Sequence, residues 1–161
     1  MKNQKGQTLI EALIALGAAV VVISAIVVGA ISSLSTTKFS SNSNLADQYA
    51  QEGMEFARHL AQQNWSSFST YGKIGAISYC YDNNATSLVV KAQNTCALSQ
   101  APIFTRILTI DQTGGGECKW SAYILVTVAW KDGACANALQ PFCHKVTLEN
   151  CLSSVNAVTP P

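Results

Sequence analysis

The apolar positions change their spacing twice along the chain. From Ala12 to Ile31 they are continuous: ALIALGAAVVVISAIVVGAI, twenty residues without a charge. At 1.5 Å per residue such a helix spans about 30 Å, the thickness of a bilayer's hydrocarbon core. Residues 32–44, SSLSTTKFSSNSN, are rich in Ser and Thr and by themselves would read as a linker. Beyond them the apolar residues fall at Leu45, Ala46, Tyr49, Ala50, Met54, Ala57, Leu60 and Ala61, a helical spacing with one apolar face. Gly53 weakens this segment without ending it. The pattern predicts one helix from about Thr8 to Gln63, with the Ser-rich stretch as the place where it would loosen. Fifty-six residues would make it about 84 Å long.

After Gln63 the period becomes two. Trp120, Ala122, Ile124, Val126, Val128 and Trp130 alternate with Ser121, Tyr123, Leu125, Thr127 and Ala129, which predicts a strand with one fully apolar face. Val146 and Leu148 alternate with Lys145, Thr147 and Glu149, a half-buried strand. Ile103–Asp111 reads as another. Ala76–Tyr81 and Thr86–Lys91 flank Asp82-Asn83-Asn84-Ala85 as a hairpin. Gly114-Gly115-Gly116 and Asp132-Gly133 mark loops. The expected class is α+β: a long N-terminal helix, transmembrane in its first half at about 12–31, with its second half packed on an antiparallel β-sheet head at 64–161.

Composition sharpens this picture. Charged residues are 12% of the 161-residue chain and apolar residues 48%, against about 25% charged in an ordinary soluble domain. The mean hydropathy of +0.19 owes its excess to the N-terminal run. Ten Lys and Arg against nine Asp and Glu give a net charge of +1 without a basic stripe, so no nucleic-acid partner is indicated. Lys2 and Lys5 precede the apolar run and should hold the start of the chain on the cytoplasmic side. Cys80, Cys96, Cys118, Cys135, Cys143 and Cys151 all lie in the head, as expected for an oxidising compartment. Six cysteines permit fifteen pairings and the sequence does not choose among them. The pairs expected are Cys80–Cys96 and Cys135–Cys143, which close short segments, and Cys118–Cys151, which assumes adjacent strands. Each bridge would contribute about 2–4 kcal/mol.

A cleaved secretory signal would have a shorter apolar region and a small-residue cleavage site. A plain anchor explains the length of the run but not Glu11, a carboxylate at its lip. The segment Lys5-Gly6-Gln7-Thr8-Leu9-Ile10-Glu11-Ala12-Leu13-Ile14-Ala15 accounts for more residues. It resembles the processing site of type IV pilins and pseudopilins: a short basic leader ending in Gly, Glu at the fifth mature position, then a long apolar helix. The motif covers about a tenth of the chain. The resemblance implies a leader at 1–6 and cleavage between Gly6 and Gln7 by a membrane prepilin peptidase. It also implies methylation of the new amine on Gln7 and pairing of Glu11 with the amine of a neighbouring subunit. Partners would be that peptidase, other pilin-like subunits with their assembly machinery, and membrane lipid. The precursor would sit in the cytoplasmic membrane and the product in a surface or periplasmic filament. The family's usual first mature residue is Phe, where this chain has Gln7. Major pilins often carry Pro twenty-two residues into the mature chain, where this chain has Val28, which leans toward a minor pilin or pseudopilin. Without the leader, eight basic and nine acidic residues would leave a net charge of −1.

Other chemistry finds little support. There is no Cys-x-x-Cys pair, and only Cys143-His144 offers mixed ligands. As neighbours on a strand these two would point to opposite faces, so neither a metal site nor a Cys–His nucleophile is expected. No cofactor and no catalytic residue is expected. His59 reads as a solvated helix residue, and Gly114–Gly116 lacks the Lys-Ser/Thr of a phosphate loop. Asn64-Trp65-Ser66 and Asn84-Ala85-Thr86 match the glycosylation sequon by chance. Trp65, Tyr79 and Tyr81 are expected in packing rather than at a ligand. The competing function is a single-pass membrane protein with a disulfide-stapled ligand-binding ectodomain. A third possibility is a secreted enzyme cleaved after the apolar run.

Overall fold

The computed structural model describes residues 7–81, 88–90, 96, 103–114, 118, 121–133, 135 and 143–154. Its first element, α1, is Gln7–Gln63. The helix is unbroken through the Ser-rich stretch, where loosening was expected. The hydroxyls there do not compete with the helix but bond back onto it: Thr36 Oγ1 donates to the Ser32 carbonyl at 3.1 Å and Thr37 Oγ1 to the Ser33 carbonyl at 2.8 Å.

The chain divides between Ser41 and Asn42 into two units. The second unit takes the last six or so turns of α1, from Asn42 to Gln63, together with the head. There α1 buries Ala46, Ala50, Met54 and Ala57, spaced four, four and three apart, so they share one face. Leu45, expected on that face, is 37% exposed and lies beside it. Small side chains let the helix approach the sheet closely. Gly53 extends that logic, since a methyl group at its Cα would run into the Tyr81 hydroxyl and lie 2.9 Å from Val126 Cγ1. A residue that weakens the isolated helix is therefore required by its packing.

After α1, Asn64 accepts a hydrogen bond from the Ser67 amide at 3.0 Å and caps a one-turn helix, α2 (Trp65–Phe68). The sequon asparagine thus has a local structural role. Gly72 then turns the chain with φ +65. A Cβ there would strike the Ile110 carbonyl, so glycine is needed for conformation and for space. Gln112 ties this connection down, its Nε2 donating to the carbonyls of Phe68 at 2.9 Å and Tyr71 at 2.8 Å.

The strands are β1 (Ile77–Cys80), β2 (Val89–Val90), β3 (Phe104–Asp111), β4 (Ala122–Trp130) and β5 (His144–Leu152). They form one antiparallel sheet in the order β2-β1-β3-β4-β5. The alternation read in the sequence is the alternation of burial: Ala122, Ile124, Val126, Val128 and Trp130 are all buried. On β5 the side toward the core carries the half-buried Val146 and Leu148, and Lys145, Thr147 and Glu149 are exposed. The core joins these faces to Phe68, Tyr79, Tyr81, Phe104, Leu108 and Ile110. The fold is thus a long helix with an antiparallel sheet, α+β. Trp120, residues 82–87 of the expected hairpin, and Gly115 and Gly116 lie outside the described residues.

Candidate functional site

The N-terminal half of α1 carries the first group of expected site residues. Gly6 lies outside the described residues. Gln7 begins α1, and only its backbone is described. Glu11 is exposed on the helix one turn later, amid Leu9, Ile10, Leu13 and Ile14, all of them also exposed. The exposed apolar surface continues through Leu34. A helix satisfies its own backbone, and Ser24 satisfies its hydroxyl on the Val20 carbonyl at 2.8 Å, so between Glu11 and Ser32 little polar demand remains. The helix is long and apolar enough to cross a membrane. An apolar surface this extensive calls for lipid or protein to cover it.

The cysteines are joined as Cys80–Cys96, Cys118–Cys151 and Cys135–Cys143, with Cα separations of 5.3, 5.6 and 5.5 Å. These are the pairs expected from the sequence. The long bridge follows from topology, because Cys118 precedes β4 and Cys151 lies on its neighbour β5.

Around the third bridge the structure corrects the sequence reading. Cys143 and His144 do face one site. The reason is that β5 begins at His144, so Cys143 precedes the strand and the period-two rule does not govern the pair. Asp132 and Cys135, on the link that leaves β4, join them: one potential ligand atom from each of the four residues lies within 4.8 Å of the others. His144 Nε2 is 3.0 Å from Asp132 Oδ2, and the imidazole stacks on Trp130 with centroids 5.3 Å apart. The Asp132 amide donates to Cys135 Sγ at 3.4 Å, and the Cys135 amide to the Asp132 carbonyl at 3.2 Å. In this oxidised form the two sulfurs are bonded to each other and are not thiolate ligands. The signal in the sequence was the turn pair Asp132-Gly133 just ahead of Cys135, facing Cys143-His144 across one link.

The sequence reading also passed over Arg106. It lies on the core face of β3, is only 3% exposed, and holds its guanidinium 3.6 Å from the centre of the Tyr49 ring on α1. Glu52 Oε2 is 3.5 Å away. Beside it the Tyr81 hydroxyl donates to the Tyr49 carbonyl at 2.8 Å. Burial raises the Tyr81 pKa well above its ordinary range, with Arg106 pulling the other way and Glu52 adding to the rise, so the phenol stays a donor. These contacts fasten α1 to the sheet. Tyr79 and Tyr81 are buried in packing and Trp65 lies against the core. His59 is exposed, 3.4 Å from Gln63 Nε2. Asn84 lies outside the described residues. An open pocket of about 260 Å³ lies between the end of α1 and β5, lined by Arg58, Ala61, Gln62, Cys151, Leu152 and Ser153.

Compared with protein-family models, with curated proteins and with solved structures, the chain matches none.

Proposed function

We propose that this chain is a structural subunit of a pilin-like filament, a minor pilin or pseudopilin of a type IV pilus, a type II secretion system or a DNA-uptake machine. It is held in the cytoplasmic membrane as a precursor, cut between Gly6 and Gln7 by a prepilin peptidase, and packed through α1 against other subunits. The work is assembly, and no catalysis is required of it.

The observation that carries this reading is Glu11, the one carboxylate in the stretch Leu9–Leu34, whose large side chains are otherwise apolar and exposed. A carboxylate taken into such surroundings is costly unless a cation meets it. Cleavage before Gln7 would create one. An α-amino group has an unperturbed pKa near 8 and is largely charged at neutral pH. Amine and carboxylate on one subunit lie on the same short segment, so a filament can pair the amine of one copy with Glu11 of the next. The α+β arrangement, with the end of α1 laid on an antiparallel sheet, is consistent with this use.

Intact mass spectrometry after coexpression with a prepilin peptidase tests the proposal. A chain that begins at Gln7, and that stays uncut when Gly6→Leu is introduced, supports it. Glu11→Ala should be processed yet fail to enter filaments. An intact Met1 terminus, with a control prepilin cut in the same cells, would favour a membrane-anchored ectodomain. A terminus beyond Ile31 would mean a secreted domain.

A further inference from the structure

We propose that Asp132, Cys135, Cys143 and His144 form a zinc site that alternates with the Cys135–Cys143 disulfide: metal bound when the bridge is reduced, metal excluded when it is oxidised. The donor set is two thiolates, an imidazole and a carboxylate, the ligands that Zn²⁺ takes in tetrahedral sites. Their ligand atoms already lie within 4.8 Å of one another. Zinc bonds of about 2.3 Å to sulfur and about 2.0–2.2 Å to nitrogen and oxygen place tetrahedral ligands about 3.3–3.8 Å apart. The contact of 3.0 Å between His144 Nε2 and Asp132 Oδ2 therefore needs to open only slightly to admit the ion. The sulfurs need to separate from a bond to a tetrahedral edge, which side-chain rotation can supply.

Two surrounding contacts suit a metal. The Asp132 amide aimed at Cys135 Sγ at 3.4 Å would support a thiolate. The Trp130 ring stacked on His144 fixes the imidazole plane. Outer partners of this kind orient ligands and tune affinity.

Burial favours this bridge for reduction. Cys96 is 5% exposed and Cys118 2% exposed, so each of the other two disulfides keeps one half inside the core. In the third, Cys135 is half-buried and Cys143 exposed. Cys151 of the long bridge is exposed as well, but only the Cys135–Cys143 bridge has neither half buried. A dithiol reductant attacks the accessible sulfur, gives two electrons and two protons to the Cys135–Cys143 bond, and leaves as its own disulfide. Zn²⁺ then displaces the two thiol protons and binds both sulfurs, His144 and Asp132. Reoxidation by a disulfide oxidant removes the two electrons, restores the bridge and expels the ion.

The test uses the full chain in detergent micelles, titrated with a mild dithiol reductant in the presence of Zn²⁺. Alkylation with intact mass counts the opened bridges, and native mass spectrometry counts bound metal. The expected result is one bridge opened, at Cys135 and Cys143, with one Zn²⁺ bound per chain and none on the oxidised protein. Co²⁺ in its place should give the intense visible bands of a tetrahedral thiolate site. His144→Gln and Asp132→Asn should each weaken the metal at least tenfold. The double variant Cys135→Ser/Cys143→Ser should keep its circular dichroism without reductant and take up no metal. Opening of all three bridges together would overturn the selectivity of the site. A single opened bridge without metal, or metal uptake indifferent to His144 and Asp132, would each overturn the proposal.

Discussion

The two halves of α1 make an instructive contrast. The half from Leu9 to Leu34 is the more apolar, yet its large side chains are exposed: Leu13 64%, Ile14 68%, Val21 69%. The half from Leu45 to Gln63 carries Gln, Glu, Asp, Arg and His, yet Ala46, Ala50 and Ala57 are completely buried. Hydrophobicity does not by itself decide burial. What decides is whether the chain supplies a matching surface. Strands β1, β3 and β4 supply one to the second half. The first half has to find its cover outside the chain, in lipid or in protein.

Substitutions can break or sharpen that contrast. The largest effect should come from truncating the shared core. Leu108→Ala, at a fully buried position on β3, should lower head stability by about 2–5 kcal/mol. Leu13→Ala should leave it unchanged within about 0.5 kcal/mol. Urea midpoints in detergent decide, and comparable losses from both would end the distinction. Next is the bridge that spans 33 residues and joins Cys118, ahead of β4, to Cys151 on β5. Cys118→Ser/Cys151→Ser should cost about 2–4 kcal/mol by the same measurement, with α1's helical signal retained.

Glycines give the sharpest paired test, because one substitution should act with opposite signs. Gly17→Ala meets nothing within 4 Å and should favour the helix by about 1 kcal/mol, without moving the head's midpoint. Gly53→Ala would press a methyl against Tyr81 and Val126. The Tyr81 hydroxyl is held by the Tyr49 carbonyl and cannot swing away cheaply. Overpacking of this kind costs about 1–3 kcal/mol, so the net effect should be a loss. A gain at Gly53 would mean the helix does not sit closely on the sheet.

The smallest effect concerns Asp111 at the end of β3. The Thr113 hydroxyl and then the Thr113 amide donate to its carboxylate, which lowers its pKa from the ordinary 3.8. A depressed carboxylate contributes stability above its unfolded pKa and loses it as pH falls through the folded value. Asp111→Ala should therefore lower the head's Tm slightly at pH 6, and the difference should shrink as the pH falls below 3.8 and through the lowered value. A difference that persists in acid would point to a packing role instead.

Much of the fold was legible because it depends on local spacing. Continuous apolar residues, then spacing of three and four, then spacing of two, are imposed by helix and strand geometry, and β4 follows its alternation residue by residue. What was not legible depends on residues distant in sequence. Arg106 reads as a polar position in a strand, and only the Tyr49 ring crossing above it explains its burial. Gly53 reads as a flaw in a helix until Tyr81 and Val126 arrive beneath it. Cys143 and His144 read as opposite faces of a strand, but β5 begins only at His144, so strand geometry does not govern Cys143.

The sequence by itself determined the elements, their faces and the division between an apolar helix and a cysteine-bearing sheet, because period and composition act within a few residues. The tertiary structure alone decided which surface covers which. It brought Asp132, Cys135, Cys143 and His144 to one point and set Arg106 under Tyr49. Contacts between distant segments are fixed by how whole faces fit together, and no local pattern encodes that fit.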